Sequence, residues 1–142
     1  MTGSPFAAGA GSQSVAAHPN GNFLYVANLG SNNVSVFRIA PGSGTLMEIS
    51  GSPFSVGTNP FSLVVDPLGQ FLYVPNANSN NVSAFSIDRI TGMLTPVTGS
   101  PFEAGLTPVS IAVDPSGQFV YVADLNAAVT GFFIRRTGGL QP

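Results

Sequence analysis

Short apolar runs alternate with clusters of glycine, proline and asparagine along the whole chain. The runs are rich in valine, phenylalanine and tyrosine, which pack well on a pleated surface, and each has roughly the length of an ordinary strand. No segment keeps the apolar period of 3.6 residues over the roughly 10–12 residues that a helix needs. The pattern therefore predicts an all-β fold of short strands joined by tight turns.

The same pattern occurs three times with a constant spacing. The tetrapeptide Gly-Ser-Pro-Phe begins at residues 3, 51 and 99, and a related hexapeptide begins at residues 23, 71 and 119. In both cases the copies are 48 residues apart. The chain therefore divides into repeats 1–48, 49–96 and 97–142, which we expect to form a single domain over residues 1–142.

Each repeat is predicted to contain four strands, which we name a to d in chain order. Strand a is predicted at Ser14–Ala17, Ser62–Val65 and Ser110–Val113. Its nearly continuous apolar sequence is typical of a strand that is buried on both faces. A tetrapeptide of the Asp-Pro-x-Gly type then predicts a hairpin turn, because proline presets φ and glycine accepts a positive φ.

Strand b carries aromatic and β-branched residues, and strands c and d follow it. Strand b is predicted at Phe23–Ala27, Phe71–Val74 and Phe119–Ala123, strand c at Val34–Ile39, Val82–Ile87 and Val129–Ile134, and strand d at Leu46–Ile49, Leu94–Val97 and Leu140–Pro142. We expect Pro75 to end strand b of the second repeat, because proline cannot donate a ladder hydrogen bond.

A four-stranded antiparallel unit of this length, repeated in tandem, is typical of a β-propeller blade. We therefore predict a β-propeller with three four-stranded antiparallel blades per chain. Propellers close with roughly four to eight blades, so three blades form a partial ring with two apolar faces open to water. Such faces usually mark an interface. The predicted partner is a second copy: a homodimer with six blades is favoured, and a trimer with nine is the alternative.

The phase of the repeats agrees with closure between chains. The third repeat contains only Leu140–Pro142 of its strand d, and Met1–Gly3 aligns with the continuation. A ring closed between copies would bring these two segments together. The alternative is a piece of a longer propeller that does not associate.

The amino-acid composition excludes several classes of function. Charged residues make up only 7% of the chain, lysine is absent and the net charge is −2. The four arginines cannot form the basic surface that nucleic acid requires, and we expect them only to keep the outer blade edges soluble. Without cysteine there is no disulfide or thiolate metal site, and no residue spacing predicts a metal site or a cofactor. No apolar run reaches the roughly 18 residues of a membrane span.

The most polar surface of the predicted propeller is the face where the b–c and d–a loops meet beside the central channel. Its amide and hydroxyl groups would hydrogen-bond a neutral polar ligand such as a sugar, a glycan or a lactone. The candidate ligand-binding residues are Asn28, Asn76, Asp124, Asn33, Asn81, Asn59 and Thr107. The alternative is that these side chains only satisfy the backbone of their own loops.

The sequence assigns no catalytic residue. His18 is the single histidine, and it stands where the other repeats have Asp66 and Asp114. All three begin a predicted hairpin turn, so hydrogen bonding to the local backbone is favoured over general acid–base chemistry.

Three motifs carry a family resemblance. The hexapeptides read Phe-Leu-Tyr-Val-Ala-Asn, Phe-Leu-Tyr-Val-Pro-Asn and Phe-Val-Tyr-Val-Ala-Asp. Asp-Pro-x-Gly-Gln precedes them and Asn-Val-Ser-x-Phe follows them in two repeats each. With the Gly-Ser-Pro-Phe segments, the chain resembles bacterial propellers of the YVTN and lactonase (6-phosphogluconolactonase-like) family over all three repeats. The resemblance implies a propeller, usually of seven blades, and a lactonase-like hydrolase activity.

Three hypotheses of function follow. The favoured one is a non-catalytic propeller module that self-assembles into a closed multi-chain ring and serves as a scaffold or binding surface. The alternatives are a lactonase-like hydrolase and a fragment of an extracytoplasmic surface protein that binds glycan. The low charge and the many asparagine, serine and glycine residues favour a periplasmic or extracellular location over a cytoplasmic one.

Overall fold

The computed structural model describes residues 1–142 and contains fourteen strands in three antiparallel sheets. The first sheet contains β1 (Ser12–Ala17), β2 (Phe23–Asn28), β3 (Asn33–Ile39), β4 (Leu46–Glu48) and β5 (Phe54–Ser55). The second contains β6 (Val64–Val65), β7 (Phe71–Asn76), β8 (Asn81–Ile87), β9 (Leu94–Pro96) and β10 (Phe102–Glu103). The third contains β11 (Pro108–Val113), β12 (Phe119–Asp124), β13 (Val129–Ile134) and β14 (Leu140–Gln141).

Each sheet is one propeller blade with the strand order a, b, c, d. The predicted all-β architecture with three four-stranded antiparallel blades is confirmed, and the ring that they begin is not closed within the chain. The structure contains no helix with the length and apolarity that a membrane span requires.

The predicted hairpin turns join strands a and b. The Gly21 N–H donates to the His18 carbonyl at 2.8 Å, and the Gly69 N–H donates to the Asp66 carbonyl at 2.9 Å. Both glycines have a positive φ, 75° and 67°. These are the bonds and backbone angles for which the Asp-Pro-x-Gly pattern is suited.

The prediction that strand a is buried on both faces is wrong for the first and third blades. In the third blade, Ser110 and Ala112 of β11 are exposed. Val15 of β1 is 62% exposed, whereas its counterparts Leu63 and Ile111 are 5% and 8% exposed. Those counterparts pack against the preceding blade, and the first blade has no blade before it in this chain. The apolar character of strand a therefore reflects contact between blades, which a single repeat cannot supply.

The prediction that Pro75 ends strand b is also wrong. β7 continues to Asn76, and Pro75 pairs with Val82 in register. The carbonyl of Pro75 accepts the Phe61 N–H at 3.1 Å, so its backbone polar groups point toward strand a. Because Pro75 has no N–H to donate toward strand a, it is the pairing of strand a that is weakened. Strand a of this blade, β6, has two residues, whereas β1 and β11 have six.

The outer strand position of the first two blades is divided between two short strands. β4 and β5 both pair with β3, and β9 and β10 both pair with β8. Between the two short strands, the first three residues of the Gly-Ser-Pro-Phe segment do not pair with strand c. Its serine fills the gap, because Ser52 Oγ accepts the Val36 N–H at 2.9 Å while the Ile49 N–H donates to the Val36 carbonyl at 3.0 Å. Ser100 makes the same bond to the Ala84 N–H at 2.9 Å.

The core lies between blades. We call the face of a blade toward the next blade its trailing face, and the opposite face its leading face. The first interface joins the trailing face of the first blade (Phe23, Tyr25, Ala27, Val34, Val36) to the leading face of the second (Leu63, Leu72, Val74, Phe85, Ile87, Leu94). The second interface joins Tyr73, Val82 and Ala84 to Ile111, Val120, Val122, Phe132 and Leu140. Successive blades are therefore held together by the burial of one apolar sheet face against the next.

We expect Ser100→Ala to destabilise the chain by about 1 kcal/mol, because it leaves the Ala84 N–H without its acceptor. Ser110→Ala is the matched control, since Ser110 is an exposed strand serine with no side-chain hydrogen bond. Urea unfolding of the two variants measures the difference. Equal stabilities would show that the serine does not support the outer strand.

Candidate functional site

Two of the predicted site residues, Asn28 and Asn76, lie at the ends of their strands b and are completely buried. The Asn28 Nδ2 donates to Asn33 Oδ1 at 2.8 Å and to Ser35 Oγ at 2.9 Å. Each amide therefore ties the end of strand b to the start of strand c in its own blade.

The second blade repeats this arrangement. The Asn76 Nδ2 donates to Asn81 Oδ1 and to Ser83 Oγ, both at 2.9 Å. Because Asn33 and Asn81 accept these bonds, two further predicted site residues belong to the same polar groups.

A glycine from the d–a connection lies against each of these side chains. A Cβ placed on Gly9 would lie 2.6 Å from Asn28 Nδ2, and one placed on Gly57 would lie 2.7 Å from Asn76 Cγ. Gly105 lies in the same way against Asp124. Real Cβ atoms do not approach other atoms so closely, so the chain needs glycine here to reach strand a. The sequence carries this signal as a glycine 48 residues apart in each repeat.

The two buried amides differ at their oxygen atoms. Asn28 Oδ1 accepts a hydrogen bond from Ser12 Oγ at 3.1 Å. In the second repeat Pro60 stands in the place of Ser12, and Asn76 Oδ1 is buried with no hydrogen-bond partner. An unpaired buried carbonyl has a free-energy cost of roughly 1–3 kcal/mol.

The third blade departs from this pattern. Asp124 replaces the asparagine, and Ala128 and Thr130 stand where the first blade has Asn33 and Ser35. The Asp124 carboxylate accepts the backbone N–H groups of Asn126 and Ala128 at 2.9 and 3.0 Å. It is also more exposed than Asn28 and Asn76.

The remaining predicted residues, Asn59 and Thr107, lie in the d–a loops with a positive φ of 57° and 59°. The Asn59 N–H donates to Asn32 Oδ1 of the preceding blade at 2.9 Å, and the Thr107 N–H donates to Asn80 Oδ1 at 2.8 Å. These bonds join neighbouring blades at the loop face. Asn32 and Asn80 were not among the predicted residues, although each is the first member of an Asn-Asn pair in its repeat.

These seven positions therefore lie at the ends of strands b, at the starts of strands c and on the d–a loops, but they form separate polar groups in each blade and not one cluster. The Asn28 and Asn76 amides are used within their own blades, whereas Asn59, Thr107 and Asp124 are partly accessible. Binding of a neutral polar ligand by this face stays a prediction.

His18 is buried, and both of its ring nitrogens have hydrogen-bond partners. Its Nδ1 accepts the Asn20 N–H at 3.1 Å, which leaves Nε2 to donate to the Gly69 carbonyl of the second blade at 2.9 Å. A neutral imidazole satisfies both bonds. The side chain therefore supports its own turn and also links two blades.

The aspartates in the corresponding turns bind only their own loops. Asp66 accepts the backbone N–H groups of Gln70 and Phe71 at 2.6 and 2.7 Å. A hydrogen bond from the Ser116 hydroxyl, with further bonds from backbone N–H groups, holds the pKa of Asp114 below its usual value. No three His, Cys, Asp or Glu side chains come together in a way that could hold a metal ion.

The prediction that the arginines only solubilise the outer edges is wrong for Arg38. Its guanidinium lies 5.1 Å from the centre of the Phe23 ring and donates to the Ile90 carbonyl of the second blade at 3.0 Å. The side chain therefore covers the outer rim of the first blade interface.

Comparison with known proteins identifies the family. Residues 1–105 match the family described as lactonase, 7-bladed beta-propeller. The chain belongs to this lactonase propeller family. No match was found among curated protein sequences.

Solved structures of related propellers agree with this assignment. A proposed 6-phosphogluconolactonase from Bacteroides fragilis is 26% identical, with a TM-score of 0.87 over 99% of this chain and 41% of its own. The periplasmic gluconolactonase of Pseudomonas aeruginosa is 25% identical, with a TM-score of 0.84 over 97% of this chain and 40% of its own. A protein of unknown function from Desulfotomaculum acetoxidans is 26% identical, with a TM-score of 0.82 over 92% of this chain and 40% of its own. The chain thus spans about two-fifths of the length of these relatives.

We expect Gly57→Ala to destabilise the chain by roughly 1–3 kcal/mol, because the added methyl group displaces the Asn76 amide. Gly131→Ala is the matched control, since its Cβ would lie 3.5 Å from the Tyr121 ring, an ordinary contact. Thermal unfolding of the two variants measures the difference. If Gly57→Ala is as stable as the parent chain, the close contact of glycine and amide does not define the loop face.

Proposed function

We propose that this chain is a non-catalytic propeller module that associates with copies of itself into a closed ring and serves as a scaffold or binding surface. The observation that carries the proposal is the trailing face of the third blade. It has no following blade in this chain, although it keeps most of the residues that such a face uses in the other two blades, with Gly131 in place of Val36 and Ala84.

The exposure of equivalent residues shows the contrast. Tyr121 is 47% exposed, whereas Tyr25 and Tyr73 are 0% exposed. Val129 is 68% exposed, whereas its counterparts Val34 and Val82 are also 0% exposed. Phe133 adds a further apolar side chain that is 57% exposed. Contiguous apolar surface of this kind usually marks an interface.

The complementary surface is the leading face of the first blade. Leu24, Val26 and Phe37 stand at the positions where the second blade has Leu72, Val74 and Phe85, which pack on a trailing face. These three residues line a groove of about 300 Å³ with Leu46 and the N-terminal residues Pro5 and Phe6. Val26 and Phe37 are each only 4% exposed, so the open part of this leading face is Leu24 and Val15, of which Val15 is 62% exposed. The open trailing face and this partly covered leading face correspond to the two sides of the interfaces inside the chain, as a head-to-tail ring requires.

The chemistry of the loop face supports a non-catalytic role. The imidazole of His18 and the amides of Asn28 and Asn76 have their donors engaged within or between blades. The polar positions that recur between the repeats therefore contribute to blade geometry. A ligand would meet the more accessible Asn59, Thr107 and Asp124.

Light scattering on a size-exclusion column tests the association. We expect a mass near twice the 14.5 kDa of one chain for a six-bladed dimer, or three times that mass for nine blades. Tyr121→Glu should weaken association at least tenfold, because it places a charge in the apolar face. Leu68→Glu is the control, since Leu68 is 62% exposed in a hairpin turn away from the blade faces. A parent chain that stays monomeric at high micromolar concentration would refute the proposal.

The alternative function is a lactonase-like hydrolase, which is favoured by membership of the lactonase propeller family. Hydrolysis of a panel of sugar lactones, measured by pH-stat titration, distinguishes the hydrolase from the non-catalytic module. We expect no turnover above the uncatalysed rate for the isolated chain or for its assembly. Turnover that persists after repeated purification would remove the non-catalytic part of the proposal and leave the association untouched.

A further inference from the structure

The outer edge of strand c is completed in the first two blades and open in the third. Val36 and Ala84 each have their N–H bonded to a serine Oγ and their carbonyl bonded to a backbone N–H. The register places Gly131 in the same position, because Tyr121 pairs with Gly131 as Tyr73 pairs with Ala84. No segment lies against the outer edge of Gly131 and Val129, so a strand can be added there.

The chain contains a third copy of the segment that fills this place. Met1–Phe6 carries the Gly-Ser-Pro-Phe motif and pairs with no strand c. Ser4 Oγ accepts no backbone N–H here, whereas the serines of the other two copies do. The open edge therefore lacks an acceptor for the Gly131 N–H, and Ser4 Oγ lacks the N–H donor that the equivalent serines have.

The unpaired segment already has the conformation of the paired ones. Gly3 has a φ of 87°, compared with 89° for Gly51 and 90° for Gly99. The Ser4 N–H donates to the Met1 carbonyl at 3.5 Å, as the Ser52 N–H donates to the Ile49 carbonyl at 3.3 Å. A segment that is preformed in its bound shape loses little conformational entropy on docking.

We propose that Met1–Ala7 of one copy is the outer strand of the third blade of another copy. This inference rests on the proposed self-association and names the segment that closes the ring. Ser4 Oγ accepts the Gly131 N–H, and Phe6 and Ala7 lie opposite Val129 and Ala128. These pairs follow from the first blade, where Phe54 and Ser55 lie opposite Val34 and Asn33.

The surrounding packing agrees with this exchange. Gly92 of the second blade lies against the Phe23 ring, and Gly138 of the third blade lies against the Phe71 ring. Phe119 is the equivalent aromatic residue of the third blade, and Gly44 is the equivalent glycine of the first. The exchanged strand brings Phe119 of one copy against Gly44 of the other. A second copy therefore fits this edge better than an unrelated peptide, because the strand and the adjoining blade face match at once.

Cysteine crosslinking tests the register directly, because the chain has no cysteine of its own. Ala7→Cys and Ala128→Cys are prepared as separate full-length chains, both at exposed positions. Asn33 and Ser55 form a pair without direct hydrogen bonds, since the Val56 N–H donates to the Asn32 carbonyl. The Cα atoms of such a pair are about 4.5 Å apart, which is within disulfide range.

We expect the mixture of the two variants to form a disulfide-linked pair under mild oxidation, while each variant alone does so at least tenfold more slowly. Association by light scattering without this crosslink would overturn the strand exchange and leave the self-association standing. A monomeric chain with no crosslink would overturn both.

Ser4→Ala provides a second measurement that does not depend on oxidation. Loss of the acceptor for the Gly131 N–H should weaken association about fivefold at each junction, the effect of one net hydrogen bond, and therefore about 25-fold for the two junctions of a six-bladed dimer. Ser50→Ala, at an exposed serine outside the proposed junction, should leave association unchanged. Equal weakening by both variants would contradict the assigned hydrogen bond.

Discussion

The whole structure depends on the burial of one blade's trailing face against the leading face of the next. A four-stranded blade has two apolar faces and cannot cover both by itself. Tyr25 and Tyr73 are fully buried because another blade follows them, and Tyr121 is half exposed because none does. The same aromatic residue thus belongs to the core or to the surface according to its neighbour alone.

The polar loop contacts set the position at which this packing occurs. Apolar burial is non-directional, so it does not by itself define how far one blade slides over the next. The bonds from the Asn59 N–H to Asn32 and from His18 to the Gly69 carbonyl do define it. Within the first two blades, the contact of glycine with the buried amide fixes where the connecting chain enters strand a. These contacts explain why polar residues recur in the repeats without forming a shared binding cluster.

The sequence predicts the blades well because a repeat of this length leaves few alternatives for strands that alternate with turns. It fails where the outcome depends on a neighbour that is distant along the chain. The wrong prediction for Pro75 came from considering strand b alone, whereas the missing donor faces strand a. The direction of the Asn28 amide depends on Gly9, and the role of Ser52 depends on a gap in the pairing of β3. Neither relation is visible as a local sequence pattern. The sequence therefore predicts where the candidate-site residues lie but not which hydrogen bonds they form.

The junction between copies would differ from the two inside the chain in two respects. Asn32 and Asn80 each accept an N–H from the following blade, but Ala127 takes their place in the third blade and has no acceptor. The loss of one hydrogen bond makes such a junction weaker by about 1 kcal/mol. The apolar trailing face of the third blade would also be less well covered at this junction, because Gly131 replaces the larger Val36 and Ala84. A ring of this chain would therefore come apart between copies before any blade separates within one, and its assembly would depend on protein concentration while each three-blade unit stays folded.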